Sequence, residues 1–305
     1  MNWFLIALIA PAMWSVTNYL DKYLLSKYVK GGGVGALLIF SSLIGLFLLP
    51  LMYVFNPNVF NLAPSTAFLI TLNAFFYLLA VLPYFHALQL GEASYVVPLF
   101  QLTPVLTFIL SYFLLGETLT QLQMIGGGLI MLGAVGLSLE LSDSTSKKVT
   151  FRKNVFLLML LSSFLFSVNF TVFKFFALDA SFWTTSFWEY VGFVIFAAIL
   201  LVFVKKYRLE FLSMLKENKI PILGLNGFNE LVNIVAKVSF NFATLLAPVT
   251  IVTLVNGFQP LFIFIYGVFL TVFFPHIVKE NIAKKYLIQK IGAITIMLVG
   301  TFLLG

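Results

Sequence analysis

Six polar side chains, Asn226, Glu230, Asn233, Lys237, Asn241 and Thr244, follow one another at steps of 4, 3, 4, 4 and 3. That spacing keeps side chains on a single face of an α-helix. Between them stand Leu225, Phe228, Leu231, Val232, Ile234, Val235, Val238, Phe240 and Phe242, which suit lipid or packed helices. A Glu or Lys at mid-bilayer costs about 2.5–3.5 kcal/mol on insertion scales, so such residues point into a protein interior or a water-filled cavity. The ladder therefore reads as the wet face of a helix lining a solute pathway. Glu230 and Lys237 are seven residues apart, roughly 10.5 Å along the axis, so they share a face without pairing directly. A carboxyl at this depth can be protonated reversibly, which makes Glu230 the candidate for a proton-coupled step, while Lys237 can hold an anionic group. The carboxamides of Asn226, Asn233 and Asn241 offer donors and acceptors for a zwitterion or a sugar. The competing reading makes these groups structural glue between helices.

Further candidates lie on other apolar runs. Glu189, in Phe187-Trp188-Glu189-Tyr190, is a second proton-coupling candidate or an interfacial acid near a helix start. His86, beside Tyr84, titrates near neutrality when free and otherwise packs as a neutral imidazole. Trp14 and Asn18 are one turn apart, and Asn169 lies in the matching region of the sixth run. Gln101 and Gln259 flank Pro104 and Pro260, where a kink frees backbone carbonyls that can line a cavity; Asn256 is grouped with them as a solute contact. Trp14, Tyr77 and Tyr84 offer ring faces to a cationic or ring-bearing solute, although 36 Phe make an aromatic wall unavoidable. Lys22 and Lys174 are expected to snorkel from helix ends. Neither a catalytic nor a metal-ligating set is expected, and no cofactor.

The elements that carry these residues follow from composition. Of 305 residues, 61% are hydrophobic and 10% charged, with a mean hydropathy of +1.05. Soluble domains carry about 25% charged residues, and a span needs about 20 apolar ones, so most of the chain belongs in the bilayer. The absence of Cys excludes a disulfide framework, thiol catalysis and a Cys-based metal site. The first run has no basic region before it and no small-residue cleavage site after it, and is expected to be a retained helix rather than a signal peptide.

Ten apolar runs can be placed, at about 3–21, 35–55, 66–90, 93–115, 121–139, 155–176, 183–204, 219–246, 248–274 and 285–304. Residues 141–153 form the one long polar connection, dividing the chain into a first five-helix unit, 1–140, and a second, 154–305. The halves look related. Ser15-Val16 and Lys22 reappear as Ser167-Val168 and Lys174 at an offset of 152. Asn73, Tyr84 and Ala87 align with Asn229, Phe240 and Ala243 at 156, as do Pro104-Val105-Leu106-Thr107-Phe108 with Pro260-Leu261-Phe262-Ile263-Phe264. Gln123-x-Ile125-Gly126 and Met131-Leu132 match Gln289-x-Ile291-Gly292 and Met297-Leu298 at 166. An odd number of helices per half turns the second copy upside down, so the expected fold is an all-α membrane protein of ten transmembrane helices in two inverted five-helix repeats.

The net charge of +7 does not point to nucleic acid. Sixteen of the 18 Lys and Arg fall after the first, fifth and seventh runs and around the ninth-to-tenth loop, on one face of a ten-helix bundle. By the positive-inside rule that face is cytoplasmic and both termini are outside.

The chain resembles the EamA type of the drug/metabolite transporter superfamily. The residues that carry the resemblance are Ala12-Met13-Trp14-Ser15-Val16-Thr17-Asn18, Ala87-Leu88-x-x-Gly91-x-Ala93-Ser94, Pro104, and Gly116-Glu117 followed by Gln123-x-Ile125-Gly126 and Gly133. The second copy departs from the pattern: Phe166 replaces the Trp, and Phe273-Phe274-Pro275 precedes Glu280 where a Gly-Glu pair is expected. The resemblance implies ten helices, a central cavity lined by helices 1, 3, 4, 6, 8 and 9, alternating access and cytoplasmic termini, the last against the charge count. It also implies that Glu117 is a structural loop acid. Gly126-Gly127-Gly128 and Gly133 suit close helix contacts within one chain or across a dimer.

The expected function is a secondary transporter, in a prokaryotic inner or plasma membrane, moving a small polar or amphipathic metabolite such as an amino acid, amine, nucleoside-like or drug-like solute. Proton coupling or exchange would drive it. The alternative is a flippase of a lipid-linked sugar or phospholipid-like substrate. No G-x-x-x-x-G-K-[ST] occurs for ATP, and no H-E-x-x-H or paired acids for an enzyme. Expected partners are the solute and membrane lipids, with the chain a monomer or homodimer.

Overall fold

A computed structural model describes residues 2–27, 33–90, 96–138, 153–217, 219–273 and 284–304, all of whose regular elements are helical. The polar connection at 141–152, the Gly91, Ala93 and Ser94 hairpin, Pro275 and Glu280, and Lys30, Lys147, Lys148, Arg152 and Lys279 lie outside the described residues.

In hydrocarbon each backbone N–H and C=O must be satisfied within the segment, so apolar runs become helices. α1 spans Asn2–Lys27, and α2 (Val34–Leu43) and α3 (Gly45–Phe55) follow almost end to end, parted at Ile44. α4 spans Pro64–Leu90; a 3-10 turn, Val97–Gln101, leads into α5, Leu102–Leu115, and α6 covers Gln121–Ser138. The second half holds α7 (Lys153–Ala180), α8 (Phe182–Phe203), α9 (Lys205–Glu217) and α10 (Lys219–Leu246). α11, Val249–Val255, passes through the turn Asn256–Phe258 into α12, Gln259–Phe273, and α13 covers Lys284–Phe302. Six segments among the described residues are long and apolar enough to cross a membrane, and three shorter apolar helices accompany them. The protein is an integral, multi-pass, all-helical membrane protein.

α9 departs from the sequence reading, which left 205–217 as a basic loop. Charged Lys205, Lys206, Arg208 and Glu210 hide its hydropathy, yet Tyr207, Phe211 and Met214 recur at helical spacing, and Phe211 and Met214 are buried. It packs on α2, where a Cβ on Gly35 would fall 2.1 Å from the Tyr207 ring.

The tightest pairings run between the halves: α1 along α10, α4 along α7, and α6 along α13. Water does not drive such pairs together in lipid, so close packing and hydrogen bonds must. At the α1 crossing Ser15 Oγ donates to the Gln259 carbonyl (3.0 Å), and at the α7 crossing Ser167 Oγ donates to the Thr103 carbonyl (3.1 Å). These are equivalent positions under the sequence offsets of 152 and 156. Each accepting carbonyl immediately precedes a proline, Pro260 or Pro104.

Glycines allow α6 and α13 to touch. A Cβ on Gly126 would lie 2.6 Å from the Gly300 carbonyl, and one on Gly133 would lie 2.8 Å from that of Ala293. These glycines thus pack within one chain. Gly128 faces open space. Gly126→Leu should lower the melting temperature of the purified protein by an overpacking cost of about 1–3 kcal/mol, whereas Gly128→Leu should leave it unchanged. Equal melting of the two variants would contradict this helix contact.

Candidate solute site

A cavity of about 120 Å³ lies where the halves cross. α1 supplies Trp14, Asn18 and Asp21, steps of 4 and 3 that aim all three inward, and α10 supplies Glu230, Asn233 and Lys237 at steps of 3 and 4. Opposite them stand Tyr77 and Tyr84 of α4 and Phe166 and Phe170 of α7, closed off by Phe100, Tyr190 and Phe193. Ser41 of α2, Thr103 of α5, Asn229 of α10, and Thr253, Asn256 and Gln259 around the α11–α12 turn add further polar groups to the lining. One wall is polar and the other aromatic.

Hydrogen bonds tie the polar wall together. Trp14 Nε1 donates to Asn233 Oδ1 (3.0 Å), and Asn233 Nδ2 reaches Glu230 Oε2 (3.4 Å). The other Glu230 oxygen accepts from Ser41 Oγ. Asn229 Nδ2 donates to Asp21 Oδ1 (2.8 Å), and Tyr84 OH donates to Asn18 Oδ1 (2.6 Å).

Lys237 reaches across to α8. Its ammonium donates to Glu189 Oε1 at 3.0 Å and sits 4.1 Å from the centre of the Tyr77 ring. Asn169 Nδ2 donates to the same Glu189 oxygen at 2.9 Å. Asn169 and Asn73 also exchange side-chain to backbone bonds, both 3.1 Å, stitching α7 to α4.

Among the predicted residues, the fold brings Glu230, Lys237, Asn233, Trp14, Asn18, Tyr77, Tyr84, Asn256 and Gln259 to the cavity. It places the others elsewhere. Asn226 is buried, with its amide 3.9 Å from Met214 Sδ of α9, and Asn241 is buried lower on α10. His86 Nδ1 lies 2.8 Å from the Leu82 carbonyl of its own helix. Gln101 is buried against Gly257, and Asn169 and Glu189 lie behind the lining, both fully buried. An interfacial position for Glu189 is thus corrected, because the α4–α8 contact encloses it. Lys174 does not snorkel either: its ammonium is 2.6 Å from Glu117 Oε1 and 2.7 Å from the Ala247 carbonyl. Glu117 also accepts from the Val249 amide (2.9 Å), so it ties the α5–α6 corner to α7 and α11. Asp21, Asn229 and Ser41 were missed; Asp21 repeats the Trp14-Asn18 helical spacing, and that was the available signal.

The two halves close differently. α4 lies along α8, where a Cβ on Gly192 would fall 2.4 Å from the Thr71 carbonyl. α10 meets α2 only sparsely, with the Ser41–Glu230 bond among the contacts.

Residues 1–139 match the sequence model of the EamA-like transporter family. An uncharacterized protein of Methanocaldococcus jannaschii is 48% identical over 56 residues, 18% of this chain and 41% of that protein, so the chain spans less than half of that relative's length. A solved crystal structure, 15% identical, superposes over 99% of this chain and 97% of its own with a TM-score of 0.66, which speaks for the shared fold.

Removing one member of a buried ion pair costs about 3–5 kcal/mol, because it strands the other charge. Glu189→Gln should therefore destabilise the protein on that scale, and Lys237→Met added to it should restore most of the loss. A double variant no more stable than Glu189→Gln, by thermal melting in detergent, would contradict the pairing.

Proposed function

Because the chain belongs, through residues 1–139, to the EamA-like transporter family of the drug/metabolite transporter superfamily, we propose that this membrane transporter works by alternating access. In this reading residues 1–140 and 154–305 are two inverted five-helix repeats joined by 141–153, and the ten spans are α1, α2–α3, α4, α5, α6, α7, α8, α10, α11–α12 and α13. α9 then rests outside the core. The equivalent Ser15 and Ser167 bonds and the crosswise α1–α10 and α4–α7 pairs support that arrangement.

The observation that carries the proposal is the cavity between these pairs, walled by Glu230, Asn233, Trp14, Asn18 and Asp21 at membrane depth. Polar groups there are costly unless they face water, a partner or a solute. Asn233 is only half-buried, and the loose α10–α2 contact against the tight α4–α8 contact supports an opening between α10 and α2. Exchange of those two contacts would expose the cavity to the opposite side. Glu230, hydrogen-bonded to neutral groups only, is the proton-coupling group in this reading. Glu189, held by Lys237, is the structural counter-ion. At the roughly 30 Å³ a water occupies in the liquid, a cavity of about 120 Å³ matches about four waters, which suits a small metabolite better than a lipid-linked sugar. A prokaryotic inner membrane, and a monomer or homodimer, complete the proposal.

In liposomes containing only this protein, Glu230→Gln should reduce flux of any solute the native protein carries to the protein-free rate, with its melting temperature retained. An imposed pH gradient should accelerate native flux. Unchanged flux in the variant would remove Glu230 from the mechanism, and indifference to the gradient would leave facilitated diffusion or exchange.

A further inference from the structure

Resting on the transport reading of this cavity, we infer that its solute is an organic cation: a protonated amine carrying an apolar or aromatic body. The charges on the walls lead to this class. The carboxyl groups of Asp21 and Glu230 both face the cavity. Among the described residues neither has a cationic partner within 4.0 Å; their partners are Asn229, Asn233 and Ser41, all neutral. The cavity's one ammonium, Lys237, is already spoken for by Glu189 at 3.0 Å and by the face of Tyr77. Two acidic groups thus stand over the solute space with no compensating positive charge. An anion or a zwitterion's carboxylate would find no free cation there.

A second observation points the same way. On cavity residues, three buried oxygens, Asn229 Oδ1, Asn256 Oδ1 and Thr103 Oγ1, have no hydrogen-bond partner, against one unpartnered donor, Asn18 Nδ2. A buried acceptor without a donor is costly, and an ammonium brings up to three N–H donors to it. The far wall suits the remainder of such a molecule. Tyr77 packs on Phe166 and Phe193 at centroid distances of 5.3 and 5.5 Å, and Phe166 stacks on Phe170 at 5.7 Å. Ring faces attract cations and bury apolar groups together.

The sequence offsets show how this polarity is built. Trp14, Asn18 and Asp21 of the first half correspond to Phe166, Phe170 and Phe173, while Glu230, Asn233 and Lys237 of the second correspond to Ala74, Tyr77 and Val81. The charged members of both sets therefore fall on the α1–α10 pair, while α4–α7 carries Tyr77, Phe166, Phe170 and Phe173 and no charge at these positions. A solute with a charged end and an apolar end matches that division.

The test is a matched series of probes with one ring and different charge: 2-phenylethylamine, 2-phenylethanol, phenylalanine and 3-phenylpropionate. Binding to the full-length protein in detergent is measured by calorimetry at pH 7, which requires no translocation. The amine should bind most tightly, and Asp21→Asn with Glu230→Gln should weaken it by about 10–100-fold while its melting temperature stays native. Tighter binding of phenylalanine or 3-phenylpropionate, or no binding of the amine, overturns the inference, and the native-protein series stands even if the double variant does not fold. Flux in liposomes separates the two readings. Amine bound but never carried overturns transport and leaves the cation site; an anion carried while the amine is ignored overturns the cation site and leaves transport.

Discussion

A charge inside a bilayer is tolerated only when something answers it, and in this protein Lys237 is answered by Glu189. The pair spans α10 and α8, and Asn169 of α7 donates to the same carboxylate oxygen. The side-chain amides of Asn169 and of Asn73 on α4 in turn each donate to the other's backbone carbonyl. Three helices are thus tied through one buried carboxylate, and Asn169 extends the tie to a fourth. Because hydrocarbon gives helices no hydrophobic reason to associate, this polar node, together with the Ser15 and Ser167 crossings and the Gly126–Gly300 approach, sets how the halves meet. The Lys174–Glu117 pair repeats the strategy at the end of α7.

With Lys237 held in that node, the cavity's remaining charge is acidic. That division of labour separates Lys237, whose charge is answered by Glu189 behind the lining, from the carboxyls of Asp21 and Glu230, which have no cationic partner among the described residues. The proposed repeats make the separation possible, since each position exists twice and the two copies have diverged in opposite directions. Asp21 corresponds to Phe173, and Glu230 to Ala74. One helix pair carries the polar side chains while the other carries rings and tight packing. The tight α4–α8 contact at Gly192 and the sparse α10–α2 contact at Ser41 extend the same asymmetry to the periphery.

Much of this was legible in the sequence because helix periodicity is local. The α10 ladder, the runs and the serine offsets need no tertiary knowledge, and three ladder members, Glu230, Asn233 and Lys237, do line the cavity. What periodicity cannot supply is the partner across a gap. Glu189 is 48 residues from Lys237, and Glu117 is 57 from Lys174; nothing local joins them. The ladder also covers more of a helix than a small cavity does, so Asn226 ends against α9 and Asn241 in packing. Asp21 escaped notice beside Lys22 at an apparent helix end, although α1 continues to Lys27 and carries it inward. α9 escaped because its charged face outweighs Tyr207, Phe211 and Met214 in any average.

The central claim is that the polar face of α10 meets water while its other face meets lipid. The chain contains no cysteine, so single cysteines can be introduced without background. Asn233 faces the cavity, and Val235, two residues on, is exposed on the apolar side. In sealed vesicles of mixed orientation, a membrane-impermeant maleimide should label Asn233→Cys readily and Val235→Cys hardly at all. An Asn233→Cys thiol as inert as that of Val235→Cys would mean a dry interface, and the account would fail.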